Sequence, residues 1–438
     1  MKTRSNRRSF LRQSALAASG LAVAGQSAVA KPFFIKPSEA KEKINIGIVG
    51  VAGRGASNLA GVKGENIVAL CDVDERNLAK AAEEFPNAKR HSDFRELIDQ
   101  KNLDAVVIST PDHTHAITTI AALKAGKHVY CEKPLTHTVS EARAVLKAAR
   151  AAPVATQMGN QIHSHPANNY RRVAEEIQSG TIGAIQEVHV WAGAVYEAKP
   201  YPIGVPPVPA HLDYENWLGP ARYRPYHPEY IPFKWRNWWH FGGGTMADFG
   251  CHYMDLPHWA LNLSTPISIA AEGPPVDPQG PPKQMIVSFD YAERGDLPPV
   301  RVTWYQGGLR PRYVEEGLLP NWKSGVLFVG EDERMLAADY TRKVLLPEYK
   351  FSNHKAPKPF IPDSIGHHAE WIQACKTGGS TSCNFGYGAQ LTESILLGNV
   401  AYRTGKPIDW DSKRLKAIGC PEADEFIHHK YRKGWKLG

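Results

Sequence analysis

From residue 43 onward, apolar positions recur in two periods that take turns along the chain. Lys43-Ile-Asn-Ile-Gly-Ile-Val-Gly50 is an apolar strand pattern that breaks at glycines, and Ala56 to Val62 continues as a short helix. The strand pattern returns at Asn66-Ile-Val-Ala-Leu-Cys-Asp72, at 104–110, at 129–131 and at 154–157. Helical spacing fills 114–125 and 139–149. Strands alternating with amphipathic helices predict an α/β fold, an N-terminal doubly wound parallel sheet of the Rossmann type. After Gly159 the pattern changes. A helix is expected at 168–179, a turn and long strand at 181–191, and alternating runs at 284–291, 300–305, 326–329 and 334–338. These predict a C-terminal α+β domain on an open, mainly antiparallel sheet, followed by helices at 366–376 and 389–402. The division expected is 44–160 for the first domain and 161–438 for the second.

The first thirty residues stand apart. Asn6-Arg-Arg-Ser-Phe-Leu-Arg12, an apolar run from Ala15 to Ala24 and Ala28-Val-Ala30 have the order of a twin-arginine signal peptide with its cleavage site. A linker at 31–43 follows. The run is too short and alanine-rich for a membrane span, so no membrane association is expected after leader removal. Lys2, Arg4, Arg7, Arg8 and Arg12 account for five of the formal net charge of +8. The basic balance is therefore no argument for nucleic acid. The leader implies a periplasmic or extracellular protein exported in its folded state.

The candidate chemistry lies at strand ends. Gly50, Ala52, Gly53, Arg54 and Gly55 form a glycine turn before a helix, where pyrophosphate oxygens meet backbone N–H groups. Asp72 ends the second strand about twenty residues on, where a carboxylate accepts hydrogen bonds from a ribose and repels a 2′-phosphate, which favours NAD over NADP. Thr110, Pro111, His113 and His115 supply a loop over the cofactor; the His-x-His is read as hydrogen bonding, with no metal. Glu132-Lys133-Pro134 follows a buried strand, so Lys133 projects from a carboxyl end where open α/β sheets bind ligands. Gly242 to Asp255 reads as a helix with Asp248 and His252 four apart on one face. A carboxylate beside an imidazole suits a general base, and Asp255, on nearly the same face, is a second candidate to orient it.

These residues resemble the glucose-fructose oxidoreductase/inositol dehydrogenase/rhizopine-catabolism (Gfo/Idh/MocA) family, over nearly the whole chain after the leader. The match is most specific at Gly50 to Gly55, Thr110-Pro111, Glu132-Lys133-Pro134 and Gly244 to His252. The resemblance implies a catalytic set of Lys133, Asp248 and His252, and an open C-terminal sheet that covers the nicotinamide and mediates oligomerisation, as a homodimer or homotetramer.

Around this centre, Asn160 is assigned to the cofactor, and Gln161 and His163 to the substrate, because side-chain amides match sugar hydroxyls. The long Pro-, Tyr- and Trp-rich segment 196–239, with Arg236, Trp238 and His240 at its end, is read as a sugar-stacking loop. The tail 426–438 is read as clasping a neighbour, and Cys375 and Cys383 as a pair free to bridge after export. The expected activity is NAD-dependent oxidation of a secondary hydroxyl of a sugar, glycoside or cyclitol, with the cofactor held tightly. The alternatives are a redox-neutral NAD-dependent glycoside hydrolase or lyase, and a non-catalytic dinucleotide-binding protein.

Overall fold

The computed structural model describes residues 42–437, so the leader and most of the linker lie outside the described residues. Its first sheet contains β1 (Asn45–Val49), β2 (Asn66–Cys71), β3 (Lys89–His91), β4 (Ala105–Ile108), β5 (His128–Glu132) and β6 (Thr156–Gly159). They run parallel in the order β3-β2-β1-β4-β5-β6, and the strand order reverses between β1 and β4. Neighbouring residues of a strand point to opposite faces, and both faces are covered. Val106, Ile108, Val129 and Cys131 enter one core cluster, while Ala105, Val107 and Tyr130 enter another. That is why these strands read as continuous apolar runs. Local capping sets the helix starts. Asp74 accepts from the Arg76 N–H at the head of Glu75–Glu84, and Thr138 with Glu141 forms a capping box on Val139–Ala151.

The second sheet has nine strands: β7 (Glu187–Ala192), β8 (Ser268–Glu272), β9 (Met285–Tyr291), β10 (Val300–Gln306), β11 (Gly325–Val329), β12 (Met335–Ala338), β13 (Lys343–Leu346), β14 (Ile408–Asp411) and β15 (Lys416–Ile418). The order is β13-β12-β11-β7-β10-β9-β8-β14-β15, antiparallel except for the β7–β10 pair.

Two late helices return to the first sheet. His367–Thr377 lays Trp371, Ala374 and Cys375 against Ile46, Val107 and Tyr130 on one face. Phe385–Thr404 runs between the sheets and is buried along most of its length. A Cβ on Gly388 would stand 3.0 Å from Met158 Cβ of β6, and one on Gly398 would stand 3.0 Å from Phe289 Cζ of β9. Glycine thus lets one helix approach both sheets. The helix starts at Phe385, four residues ahead of the sequence expectation. Asn384 caps it by accepting from the Gly386 and Tyr387 N–H groups, which offsets two glycines in the first turn that argue against helix on propensity alone.

The same helix is pinned by a buried carboxylate. Glu393 accepts from Nε and Nη2 of Arg143, the latter at 2.8 Å, and from Trp410 Nε1 at 3.1 Å. Removing one partner of such a pair leaves a buried charge uncompensated. Arg143→Met is expected to cost about 3 kcal/mol, measured as a lower denaturant midpoint of the full chain.

Three expectations are corrected. The aromatic segment is mostly core: Tyr214, Trp217, Tyr230, Trp235, Trp238 and Phe241 pack on one another, away from solvent. The tail clasps its own chain, since Arg432 pairs with Glu215, Tyr431 donates to Glu141, and Trp435 lies beside Phe94 and under Arg95. Cys375 and Cys383 are both buried free thiols.

Candidate active site

The turn after β1 is built for close approach of an anion. Gly50 has φ 83°, in the left-handed region, and its N–H donates to the Cys71 carbonyl at 2.8 Å. A Cβ on Gly55 would stand 1.8 Å from the Gly50 carbonyl oxygen, so no side chain fits there. Gly53, φ 56°, has open space where a Cβ would sit, directly before the helix Arg54–Val62. Ala52 and Arg54 are exposed beside it. Asp72 accepts from the Val51 N–H at 3.0 Å and from the Asp74 N–H at 3.0 Å. Burial pushes its carboxyl up and these hydrogen bonds oppose the shift. Asp72 also lines a cavity of about 370 Å³ with Val73, Arg90, His91 and His211. An exposed glycine turn at a helix N-terminus and a carboxylate at the next strand end fit a dinucleotide's pyrophosphate and ribose.

Lys133 leaves the end of β5 and donates to the Asp248 carboxylate, and to the Asp248 carbonyl at 3.1 Å. Arg236 Nε donates to the same carboxylate oxygen at 3.2 Å. Burial alone would push Asp248 up; the charges of Lys133 and Arg236 outweigh it and hold the carboxyl well below the usual range. The Tyr196 hydroxyl also bonds Asp248, and burial together with that negative charge pushes it up to about 12.

Asp112 is a second acid in this cluster, and sequence reasoning missed it because nothing in Thr110-Pro-Asp-His marks it as more than a helix-start residue. It is 3% exposed and accepts from the Gly243 N–H at the head of the helix Gly244–Tyr253. Burial pushes its carboxyl up to about 7, against the pull of Arg236 and Lys133. Between its unfolded value near 4 and about 7 the folded chain therefore holds the extra proton. Stability conferred by that proton is lost as pH rises through this window, by roughly 4 kcal/mol in all. Asp112→Asn, which keeps the acceptor for Gly243, is expected to flatten that slope in melts taken from pH 4 to 8.

His252 is oriented by neither aspartate. Its Nδ1 lies 2.8 Å from Asn160 Oδ1, while Asn160 Nδ2 donates to the Cys251 carbonyl at 2.8 Å. The second bond fixes the amide, so the oxygen faces the ring and Nδ1 must be the donor. Nε2 is then the unprotonated nitrogen. Burial, then the Lys133 charge, push the ring down to about 3. Asp255 lies elsewhere, fully buried and facing His163 Nδ1 at 3.0 Å and the Tyr387 hydroxyl.

The other assigned residues divide. Gln161 spends its amide on Tyr130, Glu132 and Arg54, while His163 is buried, stacked on Trp259 at 4.2 Å and bonded through Nδ1 to Asp255. Trp238 is fully buried and its indole N–H donates to the Lys199 carbonyl at 2.9 Å. His240 faces Tyr201 at 3.1 Å. His113 is buried and bonds the Trp217 carbonyl at 2.9 Å, which makes it a strut rather than a cofactor contact. His115 is buried between the carbonyls of Thr110 and Pro134, at 2.7 and 2.8 Å from its two ring nitrogens. Burial pushes the ring down to about 4, so it is neutral, donates to one of them and packs between the loop and the turn carrying Lys133. Pro111 precedes the helix Asp112–Lys124. Glu132 accepts from Asn58 at 2.8 Å and Gln161 at 2.7 Å, and pairs with Arg54 at 3.4 Å, so it braces the helix of the glycine turn.

Comparison with known proteins agrees with this geometry. The model of an oxidoreductase family's NAD-binding Rossmann fold matches residues 44–160, and that of the family's C-terminal alpha/beta domain matches 167–296. Inositol 2-dehydrogenase 2 of Saccharopolyspora erythraea is 36% identical over 169 residues, 37% of this chain and 48% of that protein. The 1,5-anhydro-D-fructose reductase of Ensifer adhaerens is 31% identical over 199 residues, 45% of this chain and 50% of that protein. The chain thus spans about half the length of these relatives. A crystal structure of the WlbA dehydrogenase from Bordetella pertussis, in complex with NADH and UDP-GlcNAcA, superposes with a TM-score of 0.60 at 18% identity, covering 85% of this chain and 99% of that one. At that identity the likeness speaks for the fold.

Proposed function

The chain belongs to the Gfo/Idh/MocA oxidoreductase family, and on that premise we propose that it is an NAD-dependent dehydrogenase of a secondary hydroxyl on a sugar, glycoside or cyclitol. The observation that carries this reading is the joining of two distant segments at one point. Lys133 at the end of β5 bonds Asp248, one helical turn before His252, whose Nε2 is left free by Asn160. NAD, when bound, supplies the hydride acceptor. His252 Nε2 takes the hydroxyl proton, and the Lys133 ammonium holds the same oxygen as negative charge develops on it. Asp248 holds Lys133 in place, and Arg236 in turn holds the Asp248 carboxylate.

The rings near His252 support a polyol substrate. Phe233 is 57% exposed, Tyr196 lies 6.0 Å from it and 6.2 Å from Phe249, and Arg236 lies over Phe233 at 5.0 Å. Aromatic faces beside a guanidinium match the C–H face and hydroxyls of a pyranose or cyclitol. Tight retention of the cofactor is supported by a strap at residues 211–213, beyond the first sheet in sequence. The Asp213 N–H donates to the Val73 carbonyl at 2.8 Å and the Glu75 N–H to the His211 carbonyl at 2.9 Å, directly beyond Asp72. The twin-arginine pattern at Asn6 to Arg12 supports a reaction outside the cytoplasm, where a retained cofactor is an advantage.

The test is to denature the purified processed protein, identify what it releases, and repeat after incubation with cyclitols and glycosides. NAD that becomes reduced with one polyol and reoxidised by a carbonyl acceptor is expected. A protein that takes up no nicotinamide, or whose bound nicotinamide no polyol reduces, overturns the reading.

A further inference from the structure

A second cavity, of about 860 Å³, lies between the helix Val139–Ala151, the helix Phe385–Thr404, the turn 239–243 and the segment 424–430. Neither Lys133, Asp248 nor His252 lines it; it meets the active site only at Gly242 and Gly243. Its walls hold polar groups without partners. His137 Nδ1, Arg224 Nε and Asn399 Oδ1 are buried and make no hydrogen bond. Arg403 is flanked by the rings of Trp239 and Phe426, at 4.9 and 4.0 Å, and burial pulls it down to about 10, with Glu425 opposing. Arg222 and Lys430 stand exposed at the wall, so basic side chains outnumber the two acids, Asp424 and Glu425.

Buried polar groups are normally paired, and each exception asks for an explanation. We propose that this cavity is a binding site for a small polyhydroxylated oxyanion, a sugar carboxylate or sugar phosphate, with Arg403 and Arg224 receiving the charge. Guanidinium groups match both oxyanions through paired N–H donors. Asn399 and His137 line the same cavity, an amide and an imidazole that suit hydroxyls. The flanking rings leave the Arg403 guanidinium edge for hydrogen bonding, as stacked arginines do in anion sites. Asn399 Nδ2 also donates to the Gly243 carbonyl at 2.9 Å, so the site shares a peptide with the head of the helix that carries His252.

The test uses the full chain and calorimetric titration with gluconate, glucose 6-phosphate, inorganic phosphate and uncharged glucose. One of the two charged sugars is expected to bind at least tenfold more tightly than glucose and than inorganic phosphate; which one assigns carboxylate or phosphate. Arg403→Met and Arg224→Met are each expected to weaken it tenfold or more, with released nicotinamide unchanged. Because Arg403 is largely buried, the exposed pair Arg222→Ala and Lys430→Ala is a second test, expected to weaken the charged sugar and leave glucose unaffected. Equal affinity for charged and uncharged sugars, or affinity indifferent to all four substitutions, overturns the proposal.

Discussion

Replacing Lys133 with methionine is expected to lower turnover by about 10³, the scale on which removal of one preorganised oxyanion donor acts. Methionine keeps the length of the side chain, and Asp248 retains Arg236 Nε at 3.2 Å, so the fold should survive. What disappears is the charge that holds the reacting oxygen. Single-turnover reduction of bound NAD measures the step, and the nicotinamide released on denaturation measures whether the cofactor site is intact. A variant that keeps NAD and turns over within tenfold of the parent would remove Lys133 from the chemistry.

His252→Ala is expected to cost between about 10² and 10⁴ in turnover, the range of a positioned general base. Added imidazole should restore part of it. The pH profile gives a sharper check. Because burial and Lys133 push the ring down to about 3, Nε2 stays unprotonated as pH falls through about 6.5, where an ordinary histidine takes its proton. The acid limb of kcat/KM should therefore lie below that value. Asn160→Asp sets a carboxylate against Nδ1 and favours the imidazolium, so it should move the limb upward. An unmoved limb would mean that another group sets it.

Much of this was legible in the sequence, for physical reasons that also explain the failures. The inner strands β1, β2, β4 and β5 announce themselves because both faces are buried. The edge strand β3, Lys-Arg-His, carries no apolar signal and is held by backbone pairing to β2, while β14 and β15 bury Ile408, Trp410 and Ala417 but are only four and three residues long, too short for a period to show. Lys133, Asp248 and His252 sit in local motifs that make them candidates, and the structure brings Lys133 and Asp248 together. Asn160 orients His252 across 92 residues, and Asp112 reaches the cluster from another strand end; no local spacing reports such contacts. The tryptophans misled in the opposite direction. Composition shows that rings are dense near 217–239 but not which way they face, and Trp238 turns inward while Phe233 turns out.

The two late helices that return to the first sheet set a schedule for synthesis. Chains emerge from the ribosome amino end first, and an independent leading domain can fold before the rest is made. Here Tyr130 and Ile46 await Trp371, and Met158 awaits Gly388. A nascent chain that stops at residue 160 has Leu59, Val62 and Leu78 on the Tyr130 face of its first sheet but lacks Trp371, Ala374 and Cys375. The packing of the first sheet is therefore completed only when nearly the whole polypeptide has been translated, and a prematurely terminated copy carries that sheet with part of its apolar surface still open to water.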